Sequence, residues 1–498
     1  MNFNSFEFLI YLAVVLVLYF ILPLKFRWIM LLVASYYFYM SWNASLIFLI
    51  LGTTLVSYLA AIFIEKSEKK SIKKLWLILT LVVCLGVLAF FKYANFFIGS
   101  VIDFLNLFKM NLDGFALNIL LPVGISFYTF QTLSYVIDVY RGEYKAEKHF
   151  GYYALFVSYF PQLVAGPIER FDNLMPQLKQ EHKLNIEDMS AGFRIALCGF
   201  FFKCVVADCV GIYVNNVFGN LQNANALSVF LAGVLFNVQI YCDFAGYSEI
   251  ARGVARMMGV KLMKNFDRPF SATSYSELNR RWHISLNQWF TDYVYIPLGG
   301  GKKGLAKKCL NILIVFALSG LWHGASWTYV IWGLYAAFFV ILESILYKPG
   351  KRFCEKHKID VKSKGVAYLR RALMLPFFVV AGLLFRAQSL GDIGLILSKL
   401  FTGIGFGESY FTATLNVLGV GIMELLMIAL CLIGMQMMTK FAEHEPKKEA
   451  LTIKPIGAQK TLYAQKVSVY VYAVLVIAYF WLALIENSDV SSFAYFQF

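Results

Sequence analysis

Long apolar runs are the feature of this sequence that most limits what it can fold into. A helix needs about 20 apolar residues to cross the hydrocarbon core of a bilayer, and eleven runs lie near that length, a few of them shorter. Of the 498 residues, 59% are hydrophobic and only 15% are charged, which excludes an ordinary soluble enzyme. The sequence therefore predicts an all-α, polytopic membrane protein with 11–12 transmembrane helices. The eleven runs lie at 6–23, 28–41, 46–64, 75–97, 117–137, 191–217, 227–247, 327–346, 372–386, 413–438 and 467–486, and a still shorter twelfth lies at 311–322.

Two apolar segments do not fit simple spanning helices. Residues 152–170 contain Pro161, Gly166 and Pro167, and residues 311–322 are too short for a full crossing. Irregular backbone is tolerated at membrane depth only where protein or a water-filled cavity covers it. Both segments are therefore predicted to be re-entrant elements that line a central chamber. Since no Gly/Ser-rich linker divides the chain, a single membrane domain over residues 1–498 is expected.

The meaning of the net charge of +15 depends on where the basic residues lie along the chain. Basic residues concentrate in the connections 65–74, 252–308 and 348–364, whereas the intervening connections are neutral or slightly acidic. This alternation follows the positive-inside rule, places the basic connections in the cytoplasm and argues against a nucleic-acid partner. The eight cysteines lie mostly inside apolar runs without a CxxC pair, so neither a disulfide framework nor a metal site is predicted.

His323 is the first of two histidines that stand out. Its nearest upstream charge is Lys308, fifteen residues away, and apolar segments flank it on both sides. His323 therefore lies either deep in the bilayer or at its outer surface. An imidazole removed from water is mostly neutral and has one ring nitrogen that can accept a proton, which suits a general base. The alternative is a core histidine that is hydrogen-bonded between helices.

His283 lies in the longest of the basic connections. Its neighbours Arg280, Arg281 and Trp282 are typical of an amphipathic helix at the membrane interface, with the indole at headgroup level and the arginines toward the phosphates. Such a helix is either a binding lip for a phosphate-bearing donor or a simple membrane anchor. The residues alone leave both interpretations open.

Several ionisable residues lie inside the apolar runs, where a charge is costly unless it is paired. Lys203 and Asp208 are five residues apart and point to different faces of one helix, so each is predicted to pair with another segment. Asp243 and Tyr247 are four residues apart and share a face. A structural ion-pair network is the favoured interpretation of these charges.

Two groups of motifs resemble a known family. The first includes both histidines: FDRPF at 266–270, RRWHISL at 280–286 and YVYIPLGG at 293–300 precede GLWHGA at 320–325. With these motifs the sequence resembles the membrane-bound O-acyltransferase superfamily. The second group, at 121–131, 160–168 and 495–498, is similar to the alginate O-acetylation branch of that superfamily. The neighbouring branch, whose members transfer D-alanine to teichoic acid, is generally shorter.

The resemblance implies an acyl relay across a bacterial inner membrane. An acyl thioester, acetyl-CoA in the first place, would be used from the cytoplasm, with no further cofactor. The acetyl group would then pass to a hydroxyl on the outer side, where an exported serine-hydrolase-like acetyltransferase completes the O-acetylation of a polysaccharide. D-alanyl transfer from a carrier-protein thioester is one alternative. A secondary transporter is the other, since it would share the many helices, broken segments and intramembrane charges.

The resemblance also implies roles for both histidines. His323 would deprotonate the accepting hydroxyl, and His283 would position the donor or help to stabilise the oxyanion. Supporting roles are expected for Arg280, Arg281, Trp282, Asp243 and Tyr247, and for the indole of Trp322 or Trp327.

Overall fold

The computed structural model describes residues 1–442, which are all-α and contain no strand. The predicted fold class is confirmed. The predicted span 467–486 lies outside the described residues. The α-helices are α1 (Phe6–Ile21), α2 (Leu24–Met40), α3 (Ile47–Lys66), α4 (Lys70–Asn106), α5 (Ile125–Arg141), α6 (Phe150–Ser158), α7 (Phe171–Lys179), α8 (Ile186–Phe200), α9 (Asp208–Gly219), α10 (Ala226–Met257), α11 (Tyr275–Arg281), α12 (Ile284–Phe290), α13 (Gly304–His323), α14 (Trp327–Lys356), α15 (Lys364–Arg386), α16 (Leu390–Thr402), α17 (Glu408–Leu418) and α18 (Ile422–Ala442).

Eight helical segments of the described part are long and apolar enough to cross a membrane. The 16-residue α1 is apolar but shorter. The protein is therefore a multi-pass membrane protein. The eight segments are Ala44–Lys66, Lys70–Asn106, Ile186–Gly219, Ala226–Met257, Gly304–His323, Trp327–Lys356, Lys364–Arg386 and Ile422–Ala442.

The segment 311–322 belongs to a longer helix than the sequence predicted. α13 has 20 residues and is long enough to span, so the prediction of a short re-entrant element was wrong. The helix begins upstream of the apolar run and includes Lys307 and Lys308 in its first two turns. Long lysine side chains can extend from a helix end to the headgroup region, so a basic residue does not mark the end of a span.

Two other predicted runs differ from the structure at glycines with left-handed backbone. The run 413–438 is divided between α17 and α18 because α17 ends at Gly419 (φ 70°). α5 begins only at Ile125, after a sharp turn at Gly124 (φ 74°). A Cβ at Gly124 would lie 2.7 Å from the carbonyl oxygen of Leu163, so both the backbone and the close approach require glycine.

The irregular segment predicted within 152–170 is present. Residues 159–168 follow α6 without forming a regular helix, and all of them are buried. The N–H of Phe160 donates to Ser35 Oγ (3.0 Å), and the N–H of Ile168 donates to Ser285 Oγ (3.0 Å). Side chains from other segments thus satisfy backbone groups that a helix would satisfy internally.

α8 and α10 pack with their backbones in near contact. A Cβ at Gly199 would lie 2.6 Å from the carbonyl oxygen of Gly246, and a Cβ at Gly192 would lie 2.6 Å from that of Gly253. Small residues at such positions are typical of helix pairs in membranes. Of this pair, α10 also contributes side chains to the candidate site.

Candidate active site

The two histidines that the sequence singled out lie side by side inside the helical bundle. The ring centres of His283 and His323 are 6.4 Å apart, and both residues are buried, with 2% and 9% of their surface exposed. The prediction that His283 lies on an interfacial helix was therefore wrong. The basic connection breaks into the two short helices α11 and α12, and the break carries His283 into the protein.

The position of His283 depends on a strained turn. His283 has left-handed backbone (φ 43°, ψ 55°), which is uncommon for a residue other than glycine. Buried Asn265 fixes the turn: its carbonyl oxygen accepts from the N–H of Ile284 (2.8 Å), and its side-chain oxygen accepts from Ser285 Oγ (2.6 Å). The Asn265 amide in turn donates to Ser248 Oγ on α10 (3.1 Å). The hydrogen bonds of this network compensate for the backbone strain.

His323 is the last residue of α13, and two contacts hold this helix end in place. α13 packs closely on α14, since a Cβ at Gly320 would lie 2.2 Å from the carbonyl oxygen of Tyr329. The ammonium of Lys92 on α4 donates to the carbonyl oxygens of Trp322 and His323. A cation at a helix C-terminus both satisfies free carbonyl groups and complements the helix dipole.

Lys92 is a residue that the sequence analysis missed. It is the one charged residue in the predicted run 75–97. An isolated charge in an apolar run of a membrane protein is costly and indicates a buried partner or a site. That signal was available in the sequence, although the partner, the end of α13, was not.

His323 lies in the walls of two cavities. The inner cavity, of about 80 Å³, is lined also by His283 and Trp282, and the outer cavity, of about 120 Å³, is lined also by Lys92 and Trp322. Each volume is large enough for several waters or a small acyl group. A group bound in either cavity can therefore reach the His323 ring. The inner cavity is further lined by Asn279, Asn287, Ser319 and Trp332, and the outer one by residues 121–127 and Val164.

Hydrogen-bonding groups beside His323 are available to a substrate. Both ring nitrogens of His283 and the indole nitrogen of Trp322 are buried and have no hydrogen-bond partner among residues 1–442. Nearly all buried polar groups have a partner, so such groups indicate a binding site. The Trp322 ring centre lies 5.0 Å from that of His323 and 5.5 Å from that of His283. Trp327, the other indole predicted for this role, instead donates to Ser100 Oγ (3.2 Å) and is half exposed.

Burial and the neighbouring His323 lower the pKa of His283 well below its usual value. The His283 ring is therefore neutral at physiological pH, with one nitrogen that donates a hydrogen bond and one that accepts. A second imidazole and an indole N–H lie next to it. This arrangement can accept a proton from a hydroxyl and donate hydrogen bonds to a developing oxyanion, which are the two requirements of acyl transfer.

The supporting residues near His283 occupy different environments. Trp282 lines the inner cavity. Arg280 is exposed, and Arg281 pairs with Glu277 (2.8 Å). Neither arginine is among the residues that line the inner cavity.

Asp243 and Tyr247 do not line either cavity. Lys203 contacts both Asp243 (2.9 Å) and Asp208 (2.8 Å). The prediction that each of the two pairs with another segment is confirmed for Lys203, whose partner Asp243 lies on α10. Lys203 and Asp208 also contact each other, which was not predicted, because the π-helical stretch Phe201–Ala207 between α8 and α9 brings them together. The Tyr247 ring stacks on Phe3 with ring centres 4.4 Å apart. Asp243 and Tyr247 thus join α10 to the π-helical stretch and to the N-terminal segment.

A multi-pass membrane protein with two buried imidazoles and an indole N–H between two cavities has the features of a membrane-embedded acyl-transfer enzyme. The chain belongs to the membrane-bound O-acyltransferase family, whose sequence profile matches residues 145–357, a segment that includes both histidines. It is 32% identical to the probable alginate O-acetylase AlgI of Pseudomonas putida over 99% of both chains. The protein is therefore an acyltransferase.

Two further relatives differ in the acceptors that their names give. The chain is 34% identical to the peptidoglycan O-acetyltransferase of Helicobacter pylori over 61% of this chain and 62% of the relative. It is 28% identical to the teichoic acid D-alanyltransferase of Bacillus subtilis over 47% of this chain and 62% of the relative. The predicted resemblance to the superfamily and to its O-acetylation branch is confirmed.

Proposed function

We propose that this acyltransferase passes an acetyl group from cytoplasmic acetyl-CoA to a hydroxyl acceptor on the outer side of the bacterial inner membrane. The acetyl group serves O-acetylation of a polysaccharide, completed by an exported partner transferase. The observation that carries this proposal is the position of His323 in the walls of both cavities. The similarity to O-acetylases along nearly the whole chain supports the acetyl group and the polysaccharide.

The two cavities lie toward different ends of the spanning helices. The inner cavity includes Tyr275, Leu278 and Asn279 of the basic connection, which the positive-inside rule assigns to the cytoplasm. The outer cavity is lined by the first residues of α5 and the last residues of α13. Because α13 begins next to the basic connection, its last residues lie farther from the cytoplasm. This geometry supports a donor from inside and an acceptor from outside.

In the proposed reaction the donor thioester occupies the inner cavity and the acceptor hydroxyl occupies the outer one. His323 accepts the hydroxyl proton as the hydroxyl oxygen attacks the thioester carbonyl carbon. The Trp322 indole and an N–H of His283 donate to the oxyanion. The carbon–sulfur bond then breaks, and the proton on His323 passes to the departing thiolate. The products are an acetyl ester and the free thiol of CoA, and His323 is neutral again.

The test is acetyl transfer by the purified protein in nanodiscs. We expect release of CoA thiol from acetyl-CoA that is stimulated by a hydroxyl acceptor, and loss of this release in His323→Ala. A parallel reaction with a D-alanyl carrier-protein thioester tests the second candidate, which the similarity to the teichoic acid D-alanyltransferase favours. If only that thioester is turned over, the donor is the D-alanyl carrier protein and not acetyl-CoA. Solute movement without turnover of any thioester would identify a transporter.

Sidedness is tested by cysteine labelling in a background that lacks the eight native cysteines. Arg280 and Gln388 are both exposed and lie toward opposite ends of the spanning helices. A membrane-impermeant maleimide should label Arg280→Cys only from the cytoplasm and Gln388→Cys only from outside. Labelling of both from one side contradicts the relay geometry. Ser285, although close to His283, is buried and unsuitable for labelling.

A further inference from the structure

A third cavity, of about 470 Å³, lies between α8, α10 and residues 261–268, and we refer to it as the basic cavity. Among residues 1–442, six basic side chains and one carboxylate line it. Its other walls are mostly apolar or aromatic. The charged residues are Arg194, Arg252, Arg256, Lys261, Lys264 and Arg268, with Glu249 as the carboxylate.

The positive-inside rule alone does not account for the arginines of this cavity. That rule concerns basic residues of connecting loops, whereas Arg194 lies within α8 and Arg252 and Arg256 lie within α10. The side chains of Arg252 and Arg256 are only 15% and 23% exposed. Arg252 and Arg256 lie on the same face of α10 as Glu249. This face of the helix therefore carries the charged side chains that line the basic cavity.

Within the described part of the chain, the carboxylates at the cavity are fewer than the basic groups. Glu249 pairs with Arg252 (2.5 Å), and Asp188 pairs with Arg256 (2.7 Å). Lys261 and Lys264 also line the cavity. Even without Arg194 and Arg268 in the count, the two carboxylates therefore stand against four basic side chains, namely Arg252, Arg256, Lys261 and Lys264. The Nε of Arg252 is buried and has no hydrogen-bond partner among residues 1–442. A partly buried cavity with excess cations and an unused donor favours an anion.

We propose that the basic cavity binds phosphate esters, namely the phosphates of the thioester donor. This identification rests on the proposed function. The planar forks of arginine bind phosphate oxygens in pairs, and lysine adds a mobile charge. The headgroup of an anionic phospholipid presents the same chemistry, so the experiment separates the two sources.

A thin aromatic partition separates the basic cavity from the inner cavity. Phe266 lines the basic cavity, and its ring centre lies 5.2 Å from that of Trp282 and 5.3 Å from that of Phe244, which both line the inner cavity. The Phe244 ring centre is 4.6 Å from that of His283. The basic cavity therefore adjoins the inner cavity, with one layer of aromatic rings between them, and a thioester arm that reaches His283 from the basic cavity has to pass this layer. Arg280 and Arg281 line neither cavity.

The test compares a donor that carries phosphates with one that does not. The double variant Arg256→Gln/Lys264→Gln is measured with acetyl-CoA and with S-acetyl-N-acetylcysteamine, which lacks phosphate. We expect the apparent KM for acetyl-CoA to rise about tenfold or more, as for the loss of charged hydrogen bonds, with kcat and the kinetics of the phosphate-free donor little changed. Arg352→Gln is the matched control, since it removes an exposed arginine of another basic connection and should leave both donors unaffected.

A second arm uses nanodiscs of neutral or anionic phospholipid. If the variant loses stabilisation by anionic lipid while its KM for acetyl-CoA is unchanged, the phosphate comes from a lipid headgroup and the donor assignment fails. Equal losses with both donors, or an effect of Arg352→Gln alone, also overturn the proposal. Failure of the wild type to use acetyl-CoA contradicts the proposed function instead. Lys261→Gln, at an exposed position, repeats the test if the double variant does not fold.

Discussion

The inner and outer cavities meet at His323, but their walls are built differently. On the inner side, two short helices break at a left-handed residue, and buried hydrogen bonds from Asn265 hold the break in place. On the outer side, the ends of long helices supply the wall, and Lys92 fixes the last carbonyl groups of α13. The inner wall thus depends on a strained turn held by side-chain hydrogen bonds, and the outer wall on the ends of regular helices and one cation.

This difference predicts how the two walls respond to substitution. His323 belongs to both walls, so its loss should affect donor and acceptor chemistry together. His283 lines only the inner cavity and Lys92 only the outer one. Variants at these two positions should therefore separate donor effects from acceptor effects.

The largest effect is expected for His323→Ala. Loss of the general base should reduce acetyl transfer by about 10²–10⁴-fold without loss of membrane insertion, since the ring lies at a cavity wall. Transfer is measured at matched protein abundance. His357→Ala is the control, because His357 is exposed at the end of α14. Near-normal transfer by His323→Ala would show that this residue is only a packing group.

The next largest effect is expected for His283→Ala, with His283→Asn as its partner variant. Asparagine tolerates left-handed backbone better than alanine does, so the pair separates loss of the imidazole from strain in the turn. We expect both variants to raise the apparent KM for the donor and to lower kcat about tenfold or more, as for the loss of an oxyanion donor. Full activity of both variants contradicts a chemical role for the imidazole.

The inner wall also shows where sequence reasoning fails. The sequence identifies His323 because it lies in an apolar run far from any charge, and the helical pattern of that run places it, although Lys92 holds the helix end. His283 was assigned to the membrane interface because Arg280, Arg281 and Trp282 form a local amphipathic pattern. Its burial depends on Asn265 and on a left-handed backbone conformation, and no local pattern encodes either of these. Hydropathy predicted the positions of most of the spanning helices among residues 1–442, but it missed the start of α13, because lysines lie inside that helix.

A smaller effect is expected on the outer side for Lys92→Met. Methionine keeps most of the side-chain volume but leaves the carbonyl groups of Trp322 and His323 without their donor, so the end of α13 should become less ordered. We expect kcat to fall about tenfold, as for the loss of a charged hydrogen bond, with the KM for acetyl-CoA unchanged and partial recovery in Lys92→Arg. Lys74→Met, an exposed position on the same helix, is the control. A change in the KM for the donor alone would contradict this prediction, because it would show that Lys92 acts on the donor in the inner cavity and not on the acceptor in the outer one.

The smallest effect concerns pH and the burial of His283. Its folded-state pKa lies well below the usual value because burial disfavours the charged ring, whereas the unfolded chain has an ordinary histidine pKa of about 6.5. As the pH falls below about 6.5, the unfolded state binds a proton that the folded state does not bind, so stability is present above this pH and decreases below it. Between pH values of about 7.5 and 5.5 the wild type should lose about 1 kcal/mol more unfolding free energy than His283→Asn. Apparent unfolding midpoints of both proteins in one detergent measure this difference. If the unfolding free energies of both proteins change in the same way with pH, the His283 ring binds a proton in the folded state. The inner wall would then admit water to this ring, which contradicts the prediction.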